Sequence, residues 1–364
     1  MKLNSADLID LAVGAAFLGT GGGGNPYVGR LLVQQCLDEG LTVEIIDPAS
    51  LHDDDLIIPT AMMGAPTVLV EKLPSGEEAI ESLRRLEHHL GRKAMATMPI
   101  EVGGINSTIP LVVGARTGLP IVDADGMGRA FPQLEMETFG VYGVAAAPLV
   151  VTNEHLESAL IRSDDNRMME WIARGVTIRM GGAAYIAEYS MTGAEVKRTA
   201  IHGTLSLAMR IGSCIRTAKH AHRNPFDALL DLLPQTLYSY GRIIFVGKIA
   251  DLSRETRAGF SMGRVRIEAT GGHDGTMEIE IQNENLIARV GGQVRAIVPD
   301  LICVMDTETA EPITTESLRY GQRVTVFAVA VPPIMRTPEA LAVFGPRAFG
   351  LDEPFTPIET IAWP

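Results

Sequence analysis

The sequence lacks the cysteine patterns that cross-link small secreted proteins or bind zinc. Its three cysteines, Cys36, Cys214 and Cys303, are far apart and include no CxxC spacing. We therefore expect neither a disulfide framework nor a thiolate zinc site, but buried free thiols. No stretch approaches the roughly 20 apolar residues of a membrane-spanning helix. These absences predict a cytoplasmic protein without a membrane partner.

Positive charge is also scarce. The 364 residues contain 31 Lys and Arg against 44 Asp and Glu, which gives a net charge of −13. This balance argues against a general affinity for nucleic acid or anionic membranes, so the expected partner is a small-molecule substrate.

The eight histidines include no HExxH metal motif, and His273 is expected in a hairpin turn.

The most informative segment is GTGGGGNP at residues 19–26. Asn25 is a typical N-cap and Pro26 a typical first helical residue, which predicts a helix from Tyr27 to about Asp38. Glycine backbone N–H groups in front of a helix can converge on a bound oxygen or anion. The candidate substrate-binding residues of this loop are Thr20, Gly21, Gly22, Gly23, Gly24 and Asn25.

The glycine loop differs from the two familiar phosphate loops. A Walker loop continues with Lys and Ser or Thr, and a dinucleotide loop follows a strand, whereas the residues before Gly19 have helical spacing. Ser5 is expected to cap that first helix. A tight turn between two closely packed helices explains the segment as well as a ligand site does, and both interpretations stay open.

The hydrophobic pattern predicts an α/β protein with two domains. Alternating strand and helix segments at residues 1–165 predict an N-terminal domain with a mostly parallel sheet. Residues 166–358 predict a mixed C-terminal domain, which is helical over 193–233 and β-rich over 240–331. Exposed edges of the β-rich part make a homo-oligomer the expected assembly.

Two acidic loops follow predicted strands of the first domain. Asp123 and Asp125 come directly after the strand 119–122 and are followed by Arg129, while Glu101 and Asn106 follow the strand that ends near Met98. Since ligands of open α/β sheets bind at the carboxyl ends of strands, we expect these groups at one edge. Asp123, Asp125 and Glu101 are the candidate catalytic residues, and Asn106 and Arg129 the candidate substrate ligands. An Asx turn with an Asp–Arg pair and a helix cap at Asn106 are the structural alternatives.

Further polar residues lie between the halves and in the β-rich part. Lys197 and Arg198 are candidates for binding a substrate carboxylate. His202 joins Asp123, Asp125 and Glu101 as a candidate ligand if a divalent metal is the cofactor, although a lone histidine is more often structural. The segment 282–285, QNEN, interrupts two alternating strands. It predicts either a bulge that turns polar groups into a cleft or a plain surface turn.

Five segments together resemble the family typed by S-methyl-thiohydantoin desulfurase. They are GTGGGGNP at 19–26, VDADGMGRAFP at 122–132, GAEVKR at 193–198, QNEN at 282–285 and GPRAFG at 345–350. The resemblance covers essentially the whole chain in the same order. It implies a two-domain bacterial hydrolase that removes methanethiol from an S-methyl thiohydantoin and leaves a hydantoin.

For that reaction, chemistry assigns roles to the candidates. Asp123 or Asp125 would take a proton from water, and the glycine loop with Asn106 would stabilise developing charge.

Two other functions stay open. One is an ATP-dependent hydantoinase-like or kinase-like enzyme whose glycine loop binds phosphate, and the other is a non-catalytic partner of a hydantoin-processing enzyme.

Overall fold

The computed structural model describes residues 1–64, 68, 72, 74–257, 260–270, 272 and 274–362. His273 lies outside these residues. The α-helices of the described chain are α1 Ser5–Leu18, α2 Pro26–Asp38, α3 Glu77–Leu90, α4 Ile109–Thr117, α5 Thr138–Val141, α6 Asn166–Arg179, α7 Gly193–Thr199, α8 Thr204–His220, α9 Pro225–Leu232 and α10 Pro338–Phe344. In this part of the chain, no helix is both long enough and apolar enough to cross a membrane.

The strands fall into a short-stranded first part and a long-stranded second part. They are β1 Ile45–Ile46, β2 Leu56–Ile57, β3 Thr60–Gly64, β4 Ile121–Val122, β5 Ala124–Asp125, β6 Leu149–Thr152, β7 Ser158–Ile161, β8 Ala183–Ala187, β9 Met191–Thr192, β10 Ile201–His202, β11 Gly241–Arg257, β12 Phe260–Ala269, β13 Thr276–Gln282, β14 Glu284–Val290, β15 Gln293–Ile297, β16 Leu301–Asp306 and β17 Arg323–Val329.

The glycine segment joins two helices, as its sequence predicts. The Asn25 side chain caps α2 by accepting a hydrogen bond from the Tyr27 N–H at 2.9 Å, and Pro26 is the first helical residue. At the first helix, Asn4 and not Ser5 is the cap. The Asn4 side chain accepts hydrogen bonds from the N–H groups of Ala6 and Asp7, and the Asp7 carboxylate in turn accepts one from the Asn4 N–H.

The prediction of a mostly parallel N-terminal sheet needs correction. The largest sheet of this part has the order β3–β8–β6–β7, and all of its neighbours are antiparallel. Among the described residues of this part, parallel pairing is confined to β1 with β4 and to two single bridges, Ile57 to Ala96 and Thr97 to Ile121. Buried apolar runs reveal a strand but not the direction of its partner. Here a short connection turns β6 back onto β7, which forces antiparallel pairing.

The second part contains one seven-stranded antiparallel sheet in the order β15–β14–β13–β12–β11–β17–β16. Strands β14 and β15 contact β16 from the opposite edge, so the sheet curls into a half-barrel. Strand β8 lies between β3 and β6, and residues on both sides of position 165 therefore share a sheet. The main apolar core joins α1 and α8 to one face of β14, β16 and β17, and the other face of the curled sheet carries a separate apolar core.

Close contact between α1 and α8 depends on two glycines. A Cβ atom at Gly14 would overlap the backbone of Ala208, and one at Gly212 would overlap the backbone of Asp10. The Asp10 side chain then fixes the pair, because its carboxylate binds the Arg216 guanidinium at 2.7 and 2.8 Å. Helix α1 delivers the glycine loop, so this contact sets the position of the loop.

We predict that Gly14→Ala lowers the free energy of unfolding by about 1–3 kcal/mol, because the new methyl group meets backbone that cannot move aside. Thermal or urea unfolding measures the effect. Gly175→Ala is the matched control: Gly175 is also helical, and a Cβ there meets no atom within 4 Å. Since alanine favours helix, the control should gain up to about 1 kcal/mol. Equal effects at both positions would contradict the interpretation.

Candidate functional site

A buried pocket lies between the glycine loop, the loop after Met98 and the β13–β14 turn. We call it the inner pocket, and its polar lining consists of Glu101, Asn106, Gln133, Arg174, Asn283 and Glu284. Gly23, Met62 and Met127 are among its other lining residues. The cavity has a volume of about 50 Å³, which is room for roughly three water molecules. Two of the sequence-predicted loops therefore do meet, together with a third from the half-barrel.

Glu101 and Asn106 form a fixed pair in this pocket. The Asn106 amide bonds both backbone groups of Met62, accepting from its N–H at 2.7 Å and donating to its C=O at 3.0 Å. Its Nδ2 also donates to Glu101 Oε1 at 2.8 Å. Asn106 is therefore a bridge to β3 and not a helix cap. Glu101 Oε2 is buried and finds no hydrogen-bond partner among the described residues.

Burial holds the pKa of Glu101 well above its usual range, and the nearby Glu284 carboxyl raises it further. The hydrogen bond from Asn106 opposes this rise without cancelling it. Because Asn106 donates to Oε1, the proton of the neutral carboxyl belongs on Oε2. Glu101 therefore presents a donor at the position where a ligand would lie.

Glu284 is the second carboxyl of the inner pocket, and it lies against the glycine loop. A Cβ atom at Gly22 would overlap the Glu284 carboxylate, and the Gly23 N–H donates a hydrogen bond to that carboxylate. Burial raises the pKa of Glu284 to about 8, while the Arg129 charge and the Gly23 bond oppose the rise. Glu284 Oε2 finds no partner among the described residues.

The rest of the glycine loop makes hydrogen bonds and close contacts with other segments of the same chain. Thr20 Oγ1 donates to the Ile302 carbonyl at 3.0 Å and accepts from its N–H at 2.9 Å. The Gly22 N–H bonds the Gly19 carbonyl, and the Gly21 carbonyl accepts from Thr315. A Cβ at Gly23 would also crowd the Gly103 carbonyl. The loop therefore fastens α1 to the half-barrel and to the Glu101 loop.

Arg129 is completely buried and bonds backbone carbonyls. Its guanidinium donates to Pro299 at 2.8 Å, to Asp300 at 3.1 Å and, more weakly, to Asn285 at 3.4 Å. It also lies 4.7 Å from the ring centre of Phe131. These contacts tie the loop of residues 126–132 to the half-barrel. Arg129 therefore acts on the inner pocket through its charge, which lowers the pKa of Glu284.

Asp125 lies beneath the inner pocket and does not line it. Its Oδ2 accepts from the N–H groups of Val102 at 2.8 Å, Gly128 at 2.7 Å and Met127 at 3.2 Å. Burial nevertheless raises its pKa to about 7. Asp125 thereby holds the two acidic loops together, one on each side of the carboxylate.

Five other sequence candidates lie elsewhere. Asp123 accepts from the Ser206 N–H at 3.0 Å near the start of α8. Lys197 pairs with the exposed Asp53 at 2.8 Å, and Arg198 donates to the Tyr142 carbonyl at 2.7 Å. The His202 side chain is exposed. Asn25 also points away, since its side chain caps α2.

These positions do not make a metal centre from the sequence candidates. In the described part of the chain, no three His, Cys, Asp or Glu side chains are arranged to hold a metal ion. Asp123 and Asp125 diverge because the chain between them crosses from one strand pair to another. Sequence separation by one residue could not reveal this change of direction.

A larger, open cleft adjoins the inner pocket. This outer cleft has a volume of about 1340 Å³ and shares Gln133 and Arg174 with the inner pocket. Trp171, Phe260 and Val343 supply apolar walls. Arg174 pairs with Glu170 and donates to the Pro132 carbonyl at 2.9 Å, so it fixes the passage between the two spaces. A ring-sized ligand of the small inner pocket must extend toward this cleft.

A second group of buried carboxyls lies behind the site. Glu137 and Glu188 are fully buried, and none of their four carboxyl oxygens finds a hydrogen-bond partner among the described residues. Burial is the main reason that both pKa values lie well above the usual range, and Glu188 raises that of Glu137 further. Such groups are stable inside the protein only as neutral acids.

Sequence reasoning missed Glu284, Glu137 and Glu188 as individual residues. For Glu284 a signal existed, because the QNEN segment forms the tight turn between β13 and β14; the β-bulge between Glu280 and Ile281 lies directly before this segment. Glu137 and Glu188 have no comparable signal, since single acids in apolar segments are usually exposed. A GxSxG sequence occurs at residues 259–263, but its Ser261 lies in β12 and not in the strand–helix turn of such nucleophiles.

Two family models match consecutive parts of the chain. The S-Me-THD-like N-terminal domain matches residues 6–163, and the S-Me-THD-like C-terminal domain matches residues 163–358. The chain belongs to the S-Me-THD-like family. The resemblance of the five sequence segments to this family is therefore confirmed.

The S-Me-THD-like fold also occurs in a crystal structure of a protein from Chromobacterium violaceum. The two chains are 24% identical, the match covers 98% of this chain and 100% of the other, and the TM-score is 0.80. At this identity the likeness establishes the fold alone. A comparison with curated proteins gives no significant match.

We predict that the S-Me-THD-like protein loses stability as the pH rises from about 5 to 8. The pKa values of Asp125 and Glu135 are raised to about 7 and that of Glu284 to about 8, so the folded chain keeps protons that the unfolded chain releases. Each such group costs up to about 1.4 kcal/mol per pH unit between its unfolded and folded pKa. Thermal unfolding across this pH range measures the slope.

Glu137→Gln isolates one contribution. The amide cannot ionise, so this variant should be more stable than the parent at pH 8 and should show a shallower pH slope. The exposed Glu339 provides the control, and Glu339→Gln should leave the slope unchanged. If stability fell more steeply with pH in Glu137→Gln than in the parent, the interpretation of Glu137 as a neutral buried acid would be wrong.

Proposed function

We propose that the chain is a hydrolase of a small hydantoin-like heterocycle, which converts an S-methyl thiohydantoin and water into a hydantoin and methanethiol. The observation that carries the proposal is the pair of buried carboxyls, Glu101 and Glu284, each with one unbonded oxygen at the same pocket. Membership of the S-Me-THD-like family supports the substrate class. We place the expected small-molecule partner in this inner pocket as part of the proposal.

The two carboxyls differ in the way that acid–base catalysis requires. Arg129 and the Gly23 N–H favour the ionised form of Glu284, whose pKa is about 8. Glu101 accepts a hydrogen bond from Asn106, and its pKa lies well above the usual range because of burial and of Glu284 itself. We assign Glu284 as the general base and Glu101 as the general acid.

In the proposed reaction, water adds to the ring carbon that carries sulfur. Glu284 takes one proton from this water, and Glu101 Oε2 gives one to the ring nitrogen as the C=N bond becomes single. The C–S bond then breaks, the new hydroxyl becomes the hydantoin carbonyl, and its proton leaves with the sulfur as methanethiol. The proton that Glu284 took from the attacking water then passes through the pocket water to Glu101, which returns both carboxyls to their starting states.

The alternative of a phosphate-binding glycine loop has a specific obstacle. The concave side of the loop is occupied by the Glu284 carboxyl, which accepts from Gly23. A phosphate at that position would meet one buried acid directly and Glu101 nearby, and like charges repel strongly in a buried site. We therefore prefer the hydrolase to a nucleotide-using enzyme. Absence of thermal stabilisation by ATP with Mg²⁺ is the expected control result.

We predict that Glu284→Gln lowers kcat/KM for methanethiol release about 10²–10⁴-fold, the usual contribution of a general base. Release of thiol from a synthetic S-methyl thiohydantoin, measured with a thiol reagent, is the assay. Lys197→Ala is the control, because Lys197 pairs with an exposed acid outside the pocket, and it should change kcat/KM less than about twofold.

Each outcome has a separate meaning. If the parent protein releases no thiol from any S-methyl thiohydantoin tested, the proposed substrate is wrong. If the parent is active and Glu284→Gln retains full activity, the substrate stands and the assignment of the base is wrong.

We further predict that kcat/KM of the parent protein rises with pH, with a slope near 1 on logarithmic axes, and levels off near pH 8. A general base must be ionised to act, and the pKa of Glu284 is about 8. Glu101→Gln should lower the whole profile and keep the rising limb, since Gln can donate a hydrogen bond but no proton. A profile that falls between pH 6 and 8 would reverse the two assignments.

A further inference from the structure

The side chain of Phe260 lies at the passage between the outer cleft and the inner pocket. Phe260 is the first residue of β12, and it lines the outer cleft. Its ring lies over the Arg174 guanidinium, with 4.7 Å between the guanidinium carbon and the ring centre. Because Arg174 borders both spaces, the ring stands beside the route by which a ligand crosses from one to the other.

Arg174 is fixed from the other side of the passage. Its Nε donates to the Glu170 carboxylate, and its Nη2 donates to the Pro132 carbonyl at 2.9 Å. The side chains of Arg174 and Glu170 are only 14% and 4% exposed. With these donors bonded in the plane of the guanidinium, its flat face is free for an aromatic ring, and Phe260 covers it.

Two hydrogen bonds fix the backbone next to Phe260. The Ser261 N–H donates to Asn283 Oδ1 at 2.8 Å, and the Asn283 N–H donates to the Ser261 carbonyl at 2.8 Å. Asn283 lines the inner pocket and directly precedes Glu284 in the β13–β14 turn. The turn that carries one of the two pocket carboxyls therefore also positions Phe260.

The sizes of the two spaces make this position important. The inner pocket has a volume of about 50 Å³ and the outer cleft one of about 1340 Å³. A ring in contact with Glu101 and Glu284 fills the inner pocket, so a substituent on that ring must lie in the passage beside Phe260. The Phe260 ring cannot move aside without losing its contact with Arg174. A fixed apolar wall of this kind discriminates between ligands by their bulk.

From these contacts, we propose that Phe260 is a specificity-determining residue, whose ring limits the bulk of the group that lies between the outer cleft and the inner pocket. Rings with a small or slender substituent reach Glu101 and Glu284, whereas rings with an aromatic substituent are excluded. The proposal concerns access to the pocket and does not depend on the reaction proposed above.

Thiol labelling measures this access without any turnover. Met127 lines the inner pocket and is 1% exposed, so Met127→Cys places a thiol there. Cys214→Ser removes the half-buried native thiol from the background. The rates of labelling by methyl methanethiosulfonate and by benzyl methanethiosulfonate are compared, and mass spectrometry identifies the modified residue. Thermal unfolding verifies that each variant is folded.

Adding Phe260→Ala to this background should raise the ratio of the benzyl rate to the methyl rate at least about 10-fold. Phe260→Tyr is the matched control, because it keeps the ring, and it should leave the ratio within about twofold of the parent background. A ratio that Phe260→Ala does not change overturns the proposal. So does a folded Met127→Cys variant whose new thiol neither reagent reaches, since the passage is then no route to the pocket.

Turnover gives a second readout, which does rest on the proposed function. Phe260→Ala should raise kcat/KM for a benzyl-substituted S-methyl thiohydantoin, relative to the unsubstituted ring, at least about 10-fold. Tyr320→Ala should leave this ratio unchanged, because Tyr320 is 76% exposed and lines neither space. If the parent protein releases no thiol but Phe260→Ala raises the labelling ratio, the proposed substrate is wrong and the role of Phe260 stands.

Discussion

The site depends on one constraint: the Glu284 carboxyl is buried against the glycine loop, where no side chain separates it from the backbone. Any Cβ at Gly22 would overlap its carboxylate, and the Gly23 N–H is one of its few hydrogen-bond donors. The glycines therefore serve close approach as much as backbone freedom. Without them the half-barrel would stand further from α1, and Glu284 would no longer share a pocket with Glu101.

Arg129 explains why this burial is tolerated. A buried guanidinium is costly unless its donors are satisfied, and carbonyls of the half-barrel satisfy those of Arg129. Placed there, the cation also lowers the pKa of Glu284 relative to what burial alone would give. One residue thus connects the two parts of the chain and biases one carboxyl of the pair toward its ionised form.

Local sequence signals predicted local structure well. Helix α2 occurs where the Asn25 cap and Pro26 place it, because both signals act within a few residues. Strand pairing could not be predicted in the same way. Parallel and antiparallel strands have similar composition when both faces are buried, and β8 joins its sheet across more than 100 residues from β3.

The same limit applies to the candidate site. Glu101, Asn106 and the glycine loop were found because their loops follow regular elements, and the structure brings them together. The direction of a side chain at a strand end depends on the next few backbone angles, so Asp123 and Asp125 could not be separated in advance. Glu284 comes from the distant β13–β14 turn, and only tertiary contact places it beside Glu101.

Helix α6 supports one wall of the candidate site. Glu170 on its buried side accepts from the Leu134 N–H at 3.2 Å and pairs with Arg174. Leu134, Gln133 and Pro132 belong to the wall of the inner pocket. A displacement of α6 would therefore move this wall, whereas Glu101 and Glu284 are held by other elements, Glu101 by Asn106 and Glu284 by the glycine loop. The two carboxyls and the wall that faces them thus depend on separate supports.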